Sequence, residues 1–231
     1  MKRHDREAGF TRQGVWIGLA LVLVLAVLFG MLCSQLSRSS GPNDRRSEAA
    51  STVRNIVNAL KSYQNDHGKY PPLPAPPKGD AGFILVGDPA AGAQISNREL
   101  FNVLRAISRG ANANNLLNKR QQKYFEGPKA KDPKHPHSGF ADGPEFAEVD
   151  QGCLFDQWGH QYCIVFTTDG SGKLDLSAVY SDLAGPEHLI PNDAVAFSLG
   201  KDGVPGGKGY EGKLRKPASS EPPDDIVSWQ W

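Results

Sequence analysis

The chain has 231 residues, with 26 Lys and Arg against 25 Asp and Glu and a net charge of +1. That balance supplies no global field for a nucleic-acid partner, and none is expected. With 25 Gly, 17 Pro and only 39% hydrophobic residues, the composition implies a small core carrying long loops, and the 3 cysteines match no zinc spacing.

Residues 15–33, VWIGLALVLVLAVLFGMLC, contain no charge. As a helix they span about 28 Å, close to the hydrocarbon thickness of a bilayer. The run exceeds the apolar core of a secretory signal, which has about 7–15 residues. It predicts a single membrane-spanning helix. Lys2, Arg3, Arg6 and Arg12 precede the span and Arg38, Arg45 and Arg46 follow it, so the charge bias is weak by count. A short tail is easier to leave in the cytoplasm than to translocate, which places the N-terminus inside and the large domain outside. Cys33 follows Leu32, which is not the small residue that lipidation requires.

Gly41-Pro42 should break or kink the chain after the span. Residues 45–63 then read as an amphipathic helix, with Ala49, Val53, Ile56, Val57, Leu60 and Tyr63 on one face, directed at a sheet. Gly68 is a natural left-handed stop, and Lys69-Tyr70-Pro71-Pro72 leaves extended. Residues 72–92 read as loop. Ser96 and Glu99 have capping-box spacing ahead of a second helix bearing Leu100, Val103, Leu104 and Ile107 and ending at Gly110. His135-Pro136-His137 lies in a polar loop with no third ligand nearby in sequence.

Residues 154–162 read as strand, tight turn, strand, continuing through Cys163-Ile164-Val165-Phe166. In the turn, Asp156 suits backbone N–H acceptance, Trp158 burial and Gly159 positive φ. An Asp156–His160 acid/base pair lacks a nucleophile, so turn chemistry is the expected role and no enzyme activity is expected. Cys153 and Cys163 bracket the hairpin. They are either a disulfide or two buried thiols. Residues 174–180 and 194–199 are further strand candidates.

Three blocks resemble the major pseudopilin of type II secretion systems and the wider type IV pilin-like family. Gly9-Phe10-Thr11, after a basic leader and before the span, resembles the prepilin signal. The resemblance implies a leader at 1–9, cleavage between Gly9 and Phe10 by a prepilin peptidase, and methylation of Phe10. An uncleaved signal anchor is the alternative. The family's glutamate at the fifth position after the cut is Gly14 here. Ala59, Leu60, Tyr63, Asp66, Gly68, Tyr70 and Pro71 match the family's helix exit. The Asp156–Tyr162 turn is similar to a family turn with prolines where Gln157 and Gln161 stand.

The third block is Ser198-Leu199-Gly200-Lys201-Asp202-Gly203, then Gly206-Gly207 and Asp225-Ile226 with Trp229, which resembles the family's C-terminal calcium loop. The resemblance implies a structural Ca2+ held by Asp202 and Asp225 side chains and Leu199 and Val204 carbonyls, with Asp224 as a substitute or second carboxylate. Carboxylates and carbonyls are the ligands a hard cation takes. A metal-free loop capped by the same aspartates is the alternative. Lys208, Lys213, Arg215 and Lys216 in the intervening loop would oppose a cation if they folded close.

The implied fold is α+β and pilin-like. A long N-terminal helix, with a transmembrane part at 10–36, would enter a periplasmic domain at 37–231. That domain would comprise helix 45–63, a loop-rich insertion at 72–150 and a small antiparallel sheet with the calcium-type loop at 151–231. The implied function is a structural subunit of a periplasmic filament for protein export. It would be anchored in the bacterial inner membrane, with other pseudopilins and inner-membrane secretion proteins as partners. The alternative is a membrane-anchored periplasmic binding or adaptor protein of the same fold that does not polymerise.

Overall fold

The computed structural model describes residues 41–74, 82–168, 172–177, 179–180, 189–206 and 224–229. The leader, Gly9, Phe10, the 10–36 span and Cys33 lie outside the described residues. The chain divides into two units, 1–41 and 42–231, and the second is described here. Among the described residues, no helix is long and apolar enough to cross a membrane.

Helix α1 runs over Pro42–His67. It starts earlier than the expected 45–63 because Pro42 falls in the first turn, where its missing N–H has no intrahelical partner to lose and its fixed φ is already helical. Ala49, Val53, Ile56, Ala59, Leu60 and Tyr63 form its buried face. Gly68 ends it at φ +73°, its N–H donating to the Gln64 carbonyl at 2.7 Å. His67 stacks on Tyr63 with ring centroids 4.1 Å apart.

The main sheet is antiparallel and built from β1 (Phe83–Val86), β4 (Cys163–Thr167), β7 (Ala194–Ser198) and β8 (Ile226–Val227), in the order β1-β4-β7-β8. The register pairs Ile84 with Phe166, Ile164 with Ala196 and Phe197 with Val227. Side chains alternate across this register. Ile84, Val86, Ile164, Phe166, Ala194 and Ala196 join the cluster made by α1. Phe83, Leu85, Cys163, Val165, Val195 and Phe197 join a second cluster with Leu174, Leu176, Tyr180, Ile190 and Trp229. The second cluster includes residues of a two-stranded ribbon, β5 (Leu174–Asp175) paired with β6 (Leu189–Ile190). Both faces of the sheet are therefore covered, which is why β4 and β7 read as continuous apolar runs.

The 72–150 insertion departs from expectation in two places. Residues 83–86, expected as loop, form edge strand β1, a four-residue apolar run between Gly82 and Gly87. The Ser96/Glu99 capping box does not form. Helix α2 covers only Arg98–Leu104, the Glu99 carboxylate accepts from Ala111 N at 2.7 Å, and Ala106 turns to φ +56°. Its N-cap residue, Asn97, is fully buried and serves the hairpin instead.

The Asn97 amide donates to the carbonyls of Leu154 (2.8 Å) and Tyr162 (3.0 Å) and accepts from Leu154 N (3.0 Å). It stands between the two strands where the Leu154 N–H to Tyr162 carbonyl bond of a continuing ladder would fall. There β3 (Leu154–Phe155) turns away to pair with β2 (Gly139–Phe140), while β4 enters the main sheet. The divergence separates the two cysteines. Cys153 packs with Ala130, Ala141, Phe146 and Phe155, and Cys163 packs beneath the main sheet. Both are free buried thiols rather than a disulfide, and burial pushes both thiol pKa values up.

Truncating Asn97 to alanine orphans the Leu154 N–H and the Tyr162 carbonyl. The expected cost is about 3 kcal/mol, a fall in Tm of about 6–12 °C for a domain of this size. Thermal unfolding followed by circular dichroism checks this, and an unchanged midpoint would show that the strand divergence does not need the amide.

Candidate functional site

The site is organised from Asp156, whose side chain is fully buried. One carboxylate oxygen accepts the N–H groups of Trp158, Gly159 and His160, each at 2.9 Å. The other accepts the Ser198 hydroxyl at 2.5 Å. Burial pushes the Asp156 carboxyl up from the ordinary carboxylate range, opposed by these hydrogen bonds and by His160. Gln157 accepts from the Tyr162 hydroxyl at 3.2 Å, and Gln161 accepts from Asn97 N at 3.2 Å. Gln157 and Gln161 thus tie the turn to its surroundings. The Ser198 hydroxyl donates to the Asp156 carboxylate and not to an imidazole, and His160 joins this junction through its backbone N–H.

Ser198 passes this anchoring into the C-terminal loop. Its oxygen accepts from Gly200 N at 3.1 Å. Gly200 has φ +66°, and a Cβ there would lie 2.4 Å from the Asp224 carbonyl, so a side chain is excluded on both counts. The two halves of the loop are stitched by carboxylates capping backbone amides. Asp224 Oδ2 accepts from Lys201 N and Asp202 N at 3.0 Å each. Asp202 Oδ1 accepts from Val204 N, and Asp225 Oδ2 from Gly206 N, both at 2.9 Å. Arg46 on α1 donates to the Asp224 carbonyl at 3.4 Å.

Asp202, Asp224 and Asp225 each offer an oxygen within 4.8 Å of the others. The structure thus brings Asp202, Asp224 and Asp225 together in one group. Asp225 is 1% exposed, and its Oδ1 is buried with no hydrogen bond of standard geometry. Burial first, then repulsion from Asp224 and Asp202, pushes its carboxyl up to about 7, against the Gly206 amide and the Tyr180 hydroxyl. Three carboxylates, each offering an oxygen within 4.8 Å of the others, are the ligand type that a hard cation such as Ca2+ takes. Leu199 is buried and Val204 exposed on the same loop. The intervening Lys208, Lys213, Arg215 and Lys216 lie outside the described residues. His135 and His137 join no group of three metal-ligating side chains among the described residues.

Sequence reasoning missed Asn97, Ser198 as the link from the turn to the loop, and the amide-capping role of Asp224. The only sequence signal for the last was the adjacent Asp-Asp pair. No family model, curated protein or solved structure matches the chain.

The raised Asp225 value sets a pH dependence. A carboxyl that titrates at 3.8 unfolded and about 7 folded favours the folded state most below pH 3.8. That stabilisation is lost as pH rises through about 7. With a chelator present, the part of the stability curve between these limits that slopes downward is expected to flatten in Asp225→Asn. Denaturant unfolding at several pH values reads this directly, and an identical slope in the variant contradicts it.

Proposed function

We propose that the chain is a membrane-anchored, pilin-like subunit of a type II secretion or type IV pilus-like filament. In this reading the N-terminal helix holds the subunit in the bacterial inner membrane and packs against neighbouring subunits, while the 42–231 unit stands in the periplasm. Two features of the sequence support it, the Gly9-Phe10 junction and the charge-free 15–33 run. The observation that carries the reading is local. A single-faced helix lies across an antiparallel sheet whose last strands bracket a glycine-rich loop closed by Asp202, Asp224 and Asp225. Such a loop has little apolar surface to bury, so an ion is an effective means of ordering it.

Ca2+ would be held by the three carboxylates, with backbone oxygens of the 199–204 segment completing the shell. Its contribution is structural, since it neutralises a charge cluster that otherwise repels itself. The second reading is a periplasmic adaptor that kept the fold and does not polymerise. Gly14 favours it, because a filament subunit of this class carries glutamate at that position.

The mature chain is expected to begin at Phe10 in a membrane fraction, and N-terminal sequencing that returns Met1 refutes the processing step. Crosslinking in the membrane separates the two readings, with a ladder of multimers for a filament subunit and a monomer band for an adaptor.

Calcium is expected to raise Tm. At about 100 times its Kd a ligand adds about 2.7 kcal/mol, or about 5–11 °C for a domain of this size. Calorimetry should show the shift in the parent and none in Asp202→Ala. An equal shift in both would place the ion elsewhere.

A further inference from the structure

The junction at Asp156 also shapes a cleft that the filament reading does not use. It is a cavity of about 590 Å³, lined by Arg45 at the start of α1, Lys134, His135 and His137 from one loop, Trp158 from the turn and Lys201 from the C-terminal loop. A volume of this order is typical of small-molecule sites. Against three full cations the lining offers one carboxylate, Asp150. Among the described residues, Arg45, Lys134 and Lys201 make no side-chain ion pair. Elsewhere in this unit, cations such as Arg105, Lys123 and Lys129 do pair, with Asp142, Glu126 and Glu145 respectively. Like charges converging from three distant segments repel one another, and one lining carboxylate stands against three cations.

The walls are fixed. The Asp156 carbonyl accepts from Ser138 N at 2.6 Å, which anchors the histidine-bearing loop. The Asp156 carboxylate holds the Trp158 turn and, through Ser198, the segment leading to Lys201. Asp224 takes the Lys201 N–H. Asp156 thus anchors the backbone of three walls, two through its carboxylate and one through its carbonyl, and buried Phe155 and Gln157 lie among the lining residues. Arg45, Lys134 and Lys201 are exposed around the cleft, so they would attract an anion as converging surface charges, an attraction that salt screens.

We propose that this cleft binds a compact multivalent oxyanion, either a phosphate ester or a polycarboxylate, with Arg45, Lys134 and Lys201 contacting its oxygens and Trp158 forming the apolar wall. Arg offers a planar fork of donors, and the lysines add mobile point charges, a mixture that suits an anion with several oxygens. The histidine pair completes the rim as hydrogen-bonding groups. They are not a metal site, since no third ligating side chain joins them among the described residues.

The test is titration of the full-length protein, in detergent, with pyrophosphate and separately with citrate, with acetate as the monovalent control. Binding is followed by calorimetry and by Trp158 fluorescence in a variant whose other tryptophans are phenylalanine. Saturable binding of either probe, weakening as salt rises and absent for acetate, is expected. Pyrophosphate alone identifies a phosphate-ester site and citrate alone a polycarboxylate site. Lys134→Glu is expected to weaken the bound probe by about tenfold or more at unchanged Tm. Lys201→Gln should give a smaller loss in the same direction. Lys119→Glu, on the exposed surface of the insertion, should change nothing. No saturable binding of either probe overturns the proposal, and so does an equal loss in Lys119→Glu.

Discussion

A carboxylate buried among apolar side chains is costly unless its oxygens are engaged, and Asp156 is the place where this fold meets that requirement. Three turn amides and one hydroxyl satisfy it. Each donor belongs to a segment that must be positioned. The turn amides set Trp158, the Ser198 hydroxyl sets the exit of β7, and the Asp156 carbonyl takes Ser138 from the insertion. One residue thereby sets the relative placement of the turn and the exit of β7 through its carboxylate and of the insertion through its carbonyl. Removing the carboxylate leaves orphaned donors in the turn and at Ser198, which makes the junction a point of high consequence.

The same logic explains how a chain rich in loops stays ordered. The insertion holds little regular structure, yet its buried backbone groups need partners. Buried asparagines provide them. Asn112 donates to the Asn102 and Ile107 carbonyls and accepts from Leu117 N and Asn118 N. Asn118 donates to the Val103 and Gln122 carbonyls and accepts from Gln122 N. Together with Asn97, these amides stand in for a helix or sheet ladder. Phe101, Phe125 and Phe140 supply the apolar packing beneath, with ring centroids 5.1–5.9 Å apart.

The C-terminal loop follows a different rule. Its aspartates cap amides across the gap between its two halves, and this concentrates negative charge at one point. Order in the loop and repulsion at its centre arise from the same residues. Burial, with a smaller contribution from that repulsion, raises the Asp225 carboxyl. A proton on one carboxyl relieves the repulsion.

Much of the architecture was legible because it is local. The 3.6-residue apolar period defines α1, the Gly68 stop follows from backbone sterics, and the apolar runs of β4 and β7 mark strands covered on both faces. Asp156 as a turn acceptor also follows from residue type and spacing, whereas the Asp202–Asp225 pairing was an implication of the family resemblance. The rest depends on neighbours brought from elsewhere in the chain. Strand β1 has no identity until β4 offers its edge, for four apolar residues between glycines fit several conformations. Ser96 and Glu99 have the spacing of a cap, yet Asn97 turns toward the hairpin because unpaired groups at Leu154 and Tyr162 need it more. Opposed cysteine positions suggested a disulfide, and the same amide parts the strands before they reach it. Sequence alone therefore determined the elements whose causes lie within a few residues. Tertiary structure decided which polar side chain answers which buried donor, because that choice is made by groups distant in the chain.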